Sequence, residues 1–144
     1  MAFRGTFDYT LDAKNRLTVP AKFRASLSDG VVLAKQVAGC VAVWRPDDYE
    51  SYIQAALQPF HPMSPEAEKL QRFFSANAHD AELDSAGRIM VPAFLLVHAS
   101  LGKDVVVTGA GHCLEIWDRG AWQDYNDRLT ADVAAITSRL GDAG

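Results

Sequence analysis

The 144-residue sequence is short of several things, and each shortage removes a class of function. No apolar run approaches the roughly 20 residues that a membrane-spanning helix needs. The longest, Ile89 to Val97, contains Pro92. Met1 to Thr10 has no apolar core of the kind a secretory signal carries, so a cytoplasmic protein is expected. Two cysteines, Cys40 and Cys113, are too few for a disulfide framework; each heads a β-rich run and reads as a reduced, structural thiol. The four histidines, His61, His79, His98 and His112, are scattered. His112 and Cys113 are adjacent and so point to opposite faces of a strand, and no ligand spacing for a metal is present. No Ser or Cys has a base placed to activate it. Gly109-Ala110-Gly111 is a fragment of a nucleotide-binding fingerprint, with no third glycine in phase and with strands on both sides. Neither a catalytic residue nor a cofactor is therefore expected.

A net positive charge is also missing, but the total of −4 conceals an uneven distribution. Residues 1–60 hold seven Lys and Arg against six Asp and Glu, whereas residues 61–144 hold seven against twelve. Within residues 1–24 the basic side chains Arg4, Lys14, Arg16, Lys22 and Arg24 face only Asp8 and Asp12. Any surface for a polyanion belongs to the first part of the chain.

What the sequence does have is a repeat. Leu11 to Ala21 reads L-D-A-K-N-R-L-T-V-P-A, and 72 positions later Leu83 to Ala93 reads L-D-S-A-G-R-I-M-V-P-A. Asn15 is answered by Gly87, and these two residue types most readily accept positive φ. A tight turn closed by a left-handed residue is thus expected between each Asp and its Arg, with Asp12 and Asp84 accepting local N–H groups. With one residue inserted, Cys40 matches Cys113, Trp44 matches Trp117 and Tyr52 matches Tyr125, so two units of roughly seventy residues fill the chain. Units that small bury a modest share of their surface and should lean on each other or on other subunits.

Each unit reads as strand, turn, strand, short helix, hairpin, helix. In the first, a strand over Phe3 to Leu11 leads to the Asp12–Arg16 turn, and Pro20 opens a short helix through Leu27. Val31 to Lys35 and Val41 to Trp44 form a hairpin, and a helix begins at Pro46 with Tyr49, Tyr52, Ile53, Ala56, Leu57 and Phe60 on one side. Ser64-Pro65-Glu66 is a helix start without counterpart in the repeat, and the helix it opens is read as the connector. In the second unit a strand spans His79 to Leu83, a helix runs from Pro92 to Leu101, and Asp104 to Thr108 pairs with Cys113 to Trp117. Asp118 caps a last helix whose apolar face is Trp122, Tyr125, Leu129, Val133, Ile136 and Leu140, and Gly141 to Gly144 should fray. Strands so short cannot make independent sheets, so the copies should interleave into one β-rich body. Trp44 and Trp117 belong to its core.

Two readings of the Asp–Arg turns stand side by side. In the first they are structural, or lock subunits of a non-DNA scaffold together. In the second, Lys14 and Arg16 make a cationic tip, with Arg4, Lys22 and Arg24 close by in sequence, suited to a phosphate backbone or to guanine in a groove. The second turn has Ala86 in place of Lys14 and should contribute less. An enzyme using Cys113 or His112 is a third reading, removable by alkylation.

F-R-G-T-F-D-Y-T-L-D-A-K-N-R-L-T-V-P-A-K-F-R at the start, E-L-D-S-A-G-R-I-M-V-P-A in the second copy and L-E-I-W-D at 114–118 resemble the MraZ family of bacterial transcriptional regulators. The resemblance covers nearly the whole chain. It implies an α+β fold: a tandem repeat of two AbrB-like swapped-hairpin units packed together with a connecting helix, here residues 1–60, 61–77 and 78–144. It further implies a nucleoid-associated, ring-shaped homo-oligomer, an octamer or dodecamer, that binds short direct repeats in double-stranded DNA. Its targets would be its own promoter and the division and cell-wall gene cluster, with no membrane or small-molecule ligand involved. Lys14, Asn15 and Arg16 would make the main DNA contacts, Arg88 would assist, and Arg4 would add to the basic surface. Asp12, Asp84 and Gly87 would shape the turns. The chain departs from the family pattern at Asn15, where Gly is usual, and in the short helix Ala93 to Leu101, which lacks the usual basic residue.

Overall fold

In the computed structural model, which describes residues 2–143, both copies of the repeat build the same elements in the same order. β1 (Thr6–Thr10) enters the first Asp–Arg loop and β2 (Arg16–Thr18) leaves it. A 3-10 turn at Ala21–Phe23 leads to β3 (Val31–Lys35), β4 (Val41–Trp44) and α1 (Pro46–Leu57). After α2 (Pro65–Ala76) the plan returns as β5 (Ala78–Ala81), β6 (Arg88–Met90), α3 (Ala93–His98), β7 (Asp104–Gly109), β8 (Leu114–Asp118) and α4 (Arg119–Ala143).

The two copies exchange their first strands. β1 lies antiparallel on β7, with Thr6 opposite Thr108 and Thr10 opposite Asp104. Reciprocally, β5 lies on β3, with Val31 opposite Ala81. The hairpins β3·β4 and β7·β8 meet where Ala42 faces Glu115, which completes a six-stranded sheet in the order β1-β7-β8-β4-β3-β5. β2 and β6 leave that sheet and pair as a separate two-stranded ribbon. This is the interleaved α+β body that the strand lengths call for, because neither hairpin alone could cover an apolar face.

Both faces of the central strands are covered, so their sequences run almost continuously apolar. Val31, Leu33, Val41, Val43, Val105, Val107, Leu114 and Ile116 face a core shared with Phe3, Leu17, Phe23, Ile89 and Leu95. On the other side Val32, Ala42 and Trp44 pack with Tyr49, Ile53 and Phe74, so α1 and α2 close the sheet from outside. The Tyr49 hydroxyl donates to the Phe74 carbonyl at 2.8 Å and joins the two helices. Ser64 caps α2 by accepting from the Ala67 N–H at 3.2 Å, with Pro65 in the first helical position.

Several boundaries differ from expectation for local reasons. Pro20 and Pro92 stand one place before their helices, with ψ of 133° and 152°. Their backbone is extended, and their carbonyls accept the first bonds, from Phe23 in one copy and from Leu95 and Leu96 in the other. The helix expected through Leu27 is only a 3-10 turn, followed by turns that sink Phe23 and Leu27 into the core. α3 stops at His98, not Leu101, because Ser100 takes φ 50° and its N–H and that of Leu101 bond back to Val97 and Leu96. The strand expected from Phe3 is interrupted at Gly5, φ 110°, although Phe3 still bridges to Gly111. β5 spans Ala78–Ala81 in place of His79 to Leu83. Phe60 lies beyond the end of α1 and is partly exposed.

Asp118 accepts from the Ala121 N–H at the start of α4, as its capping role requires. The helix then continues through Ala143, so residues 141–143 are helical, while Gly144 lies outside the described residues. Its first turns pack, whereas Val133, Ile136 and Leu140 are 47%, 47% and 68% exposed. Gly109 and Gly111, which resembled part of a phosphate loop, instead border the N-terminal segment. Phe3 and Gly111 exchange two backbone bonds, Gly109 donates to the Gly5 carbonyl, and a Cβ on Gly109 would strike the Phe3 and Arg4 backbone.

Candidate nucleic-acid interface

The first loop is closed from within by one carboxylate. Asp12 Oδ1 accepts from the N–H groups of Lys14 and Arg16, both at 2.9 Å, and Oδ2 accepts from Arg16 Nε at 2.7 Å. Asn15 holds φ 58° at the corner, and its N–H returns to the Asp12 carbonyl at 2.9 Å. Asp84 repeats each bond: Oδ1 accepts from Ala86 and Arg88 N–H, and Oδ2 from Arg88 Nε, all at 2.9 Å, around Gly87 at φ 75°. The Arg16 N–H, helped by its side chain and the Lys14 N–H, holds the Asp12 carboxyl below the ordinary carboxylate value. Arg88 and Ala86 do the same for Asp84. Ion pairs this exposed add little stability; what they fix is direction. With Nε committed, the terminal Nη groups of each guanidinium are those left to meet an acceptor.

The loops are not tips of hairpins, because β1 and β2 belong to different sheets. They flank one ribbon instead. Arg16 pairs with Met90, Leu17 with Ile89 and Thr18 with Arg88. Leu17 and Ile89 are buried, so the alternate side chains Arg16, Thr18, Arg88 and Met90 share the outer face. Arg16 and Arg88 are diagonal neighbours, which places their backbones about 7–8 Å apart. Each left-handed corner also grips the other copy: the Asn15 carbonyl accepts from Val91 N–H and the Gly87 carbonyl from Val19 N–H, both at 2.9 Å.

Lys14 and Asn15 are exposed on the first loop beside Arg16, as grouped from sequence. Arg4 is not at this tip. It precedes Gly5 at the opposite end of β1, beside the Gly109 end of β7, and Gly5 approaches the Lys22 amino group, which lies about 5 Å from the Phe7 and Phe23 ring centres. Arg24, grouped from sequence with the cations near the first loop, lies at the second. Its Nε donates to the Val19 carbonyl at 3.0 Å, and its side chain covers Gly87 so closely that a Cβ there would lie 2.5 Å from Nε. The first copy thereby lends a cation to the second loop, which has Ala86 where the first has Lys14. No spacing announces this, since it depends on β2 pairing with β6.

Two half-size units that exchange strands and present paired Asp–Arg loops on a common ribbon define a tandem-repeat α+β protein. A family model described as "MraZ protein, putative antitoxin-like" matches residues 2–73 and again residues 74–143. The chain belongs to the MraZ family. It is similar to the transcriptional regulator MraZ of Heliobacterium modesticaldum, with 36% identity over 140 residues and 97% of each chain covered. It is similar also to the proteins of the same name from Thermoanaerobacter pseudethanolicus, at 35% with 96% of each chain covered, and Clostridium acetobutylicum, at 32% with 99% covered. No helix among the described residues is long and apolar enough to cross a membrane.

Proposed function

We propose that the chain is a sequence-specific DNA-binding transcriptional regulator, acting in the cytoplasm at the nucleoid, and not an enzyme. The observation that carries this reading is the β2·β6 ribbon, which sets Arg16 and Arg88 on one outward face with each Nε pinned by Asp. A B-DNA major groove about 12 Å wide admits a two-stranded ribbon, and Arg pairs bidentately with guanine. Lys14 and Arg24 are assigned to flanking phosphates in this reading. Copies of the chain assemble as a ring, an octamer or dodecamer, so that Arg16 loops fall on successive direct repeats. Weak single contacts are then multiplied by avidity. The targets are its own promoter and the division and cell-wall gene cluster.

A gel shift on the DNA upstream of its own coding sequence tests this. Arg16→Ala should cost about 1–3 kcal/mol per contacting subunit, and Arg88→Ala should cost less. Affinity should fall steeply between about 50 and 200 mM salt. Wild-type affinity in Arg16→Ala, or a flat salt response, rejects the loop as the contact. The scaffold alternative predicts instead that both Arg variants dissolve the assembly on a sizing column. Both ion pairs close inside their own loops, so neither needs a second subunit to satisfy it.

A further inference from the structure

The outer face of the ribbon is not symmetric. Beside Arg88 sits Thr18, half-buried; beside Arg16 sits Met90, 57% exposed between buried Ile89 and Val91. On α3, Phe94 and Val97 are 40% and 78% exposed, and the matching positions of the first copy are Lys22 and Ala25. What distinguishes Met90 is its position, directly opposite Arg16 on the ribbon's outer face. We propose that Met90 is a specificity residue, whose thioether end reads the C5-methyl group of a thymine next to the base that Arg16 contacts. This rests on the DNA-binding reading above and deepens it.

Directly opposed residues of an antiparallel pair have Cβ atoms about 4.5–5.5 Å apart, and successive base pairs are about 3.4 Å apart along the duplex. With the Arg16–Met90 pair laid along the groove, that spacing brings the two side chains to neighbouring base pairs. Thymine is the base whose major-groove edge carries a methyl group, and apolar side chains are what recognise it. A protein cover over Met90 would also take the Arg16 and Arg88 guanidinium groups out of water, whereas a groove offers them acceptors. The unlike halves further mean that each ribbon has a direction on its duplex, which suits sites repeated head to tail.

The test uses a duplex selected from a random pool by the wild-type chain, then remade with uracil replacing thymine one position at a time, which removes only the methyl. Wild type should bind about fourfold more weakly at one or two positions, the effect of one buried methyl. Met90→Ala should bind both probes alike, and Met90→Leu should restore the difference. Equal binding of thymine and uracil probes by wild type, with Arg16→Ala still weakening both, overturns the role of Met90 and leaves DNA binding standing. So does full discrimination in Met90→Ala. A smaller assembly of Met90→Ala on a sizing column would make the position a contact between copies and likewise reject it. If Arg16→Ala binds as wild type does, the loop is not the contact and the role of Met90 falls with it, whereas failure of the wild-type chain to select any duplex from the pool rejects DNA binding itself.

Discussion

Asn15 and Gly87 hold the same corner of the same turn, at φ 58° and 75°, yet they are not interchangeable. Asn15 is exposed, whereas Gly87 is buried under Arg24. Gly87→Asn keeps a residue that tolerates the left-handed region but drives a Cβ into the Arg24 side chain and its bond to the Val19 carbonyl. The expected cost is about 1–2 kcal/mol, read as a lower denaturation midpoint. In an Arg24→Ala background the same change should cost distinctly less, and an undiminished cost would mean that Arg24 is not the obstacle. Asn15→Gly should stay within about 0.5 kcal/mol, because nothing comparable overlies it. The thiols give a second prediction at this scale. Burial, with Glu115 adding to it, pushes Cys113 up to about 12 and moves Cys40 in the same direction. Both are free and buried, so iodoacetamide at pH 8 should add no mass to the folded chain and two carbamidomethyl groups in denaturant.

The Asp–Arg loops are the elements most fully legible in the sequence, because everything that forms them lies within five residues. Asp supplies the acceptor, Asn or Gly the corner and Arg the donor, so the closure needs no distant partner. What surrounds a loop is another matter. The sequence marks α4 as amphipathic through Val133, Ile136 and Leu140, but periodicity states a helix's polarity and not what covers it. The placement of Arg24 at the second loop, not the first, was illegible for the same reason: its neighbour Gly87 is 63 residues away in sequence. The loops also carry a pH prediction. Their carboxyls lie below 3.8 in the folded chain, so the stabilising contribution is complete above 3.8 and is lost as pH falls through the lower folded values. The amide resonances of Lys14, Arg16, Ala86 and Arg88 should thus move together on acidification, with midpoints below the ordinary carboxylate value. Midpoints at or above the ordinary carboxylate value would show that the carboxylates are not held as described.

At the scale of the whole molecule, the repeat is not two domains in a row but one body made of two exchanged halves. β1 is an edge strand only because β7 of the other copy receives it, and β5 likewise depends on β3. Arg119 at the head of α4 donates to the Tyr9 carbonyl of β1 at 2.9 Å, another tie that crosses the halves. Each half alone would leave a hairpin edge, a ribbon strand and one face of Leu17 or Ile89 without partners. Unfolding of the full chain should therefore be a single cooperative transition, with far-UV circular dichroism and tryptophan fluorescence giving the same midpoint. Fluorescence is a fair witness, since Trp44 lies in the first half and Trp117 and Trp122 in the second. Fragments 1–77 and 78–144 should each be unstructured when dilute. Because the halves are related in design, a fragment at high concentration could find a second copy of itself, so any structure it gains should grow with concentration. Two separated transitions in the intact chain, or a fragment that stays folded on dilution, would mean that the exchanged strands do not bind the halves into one cooperative unit.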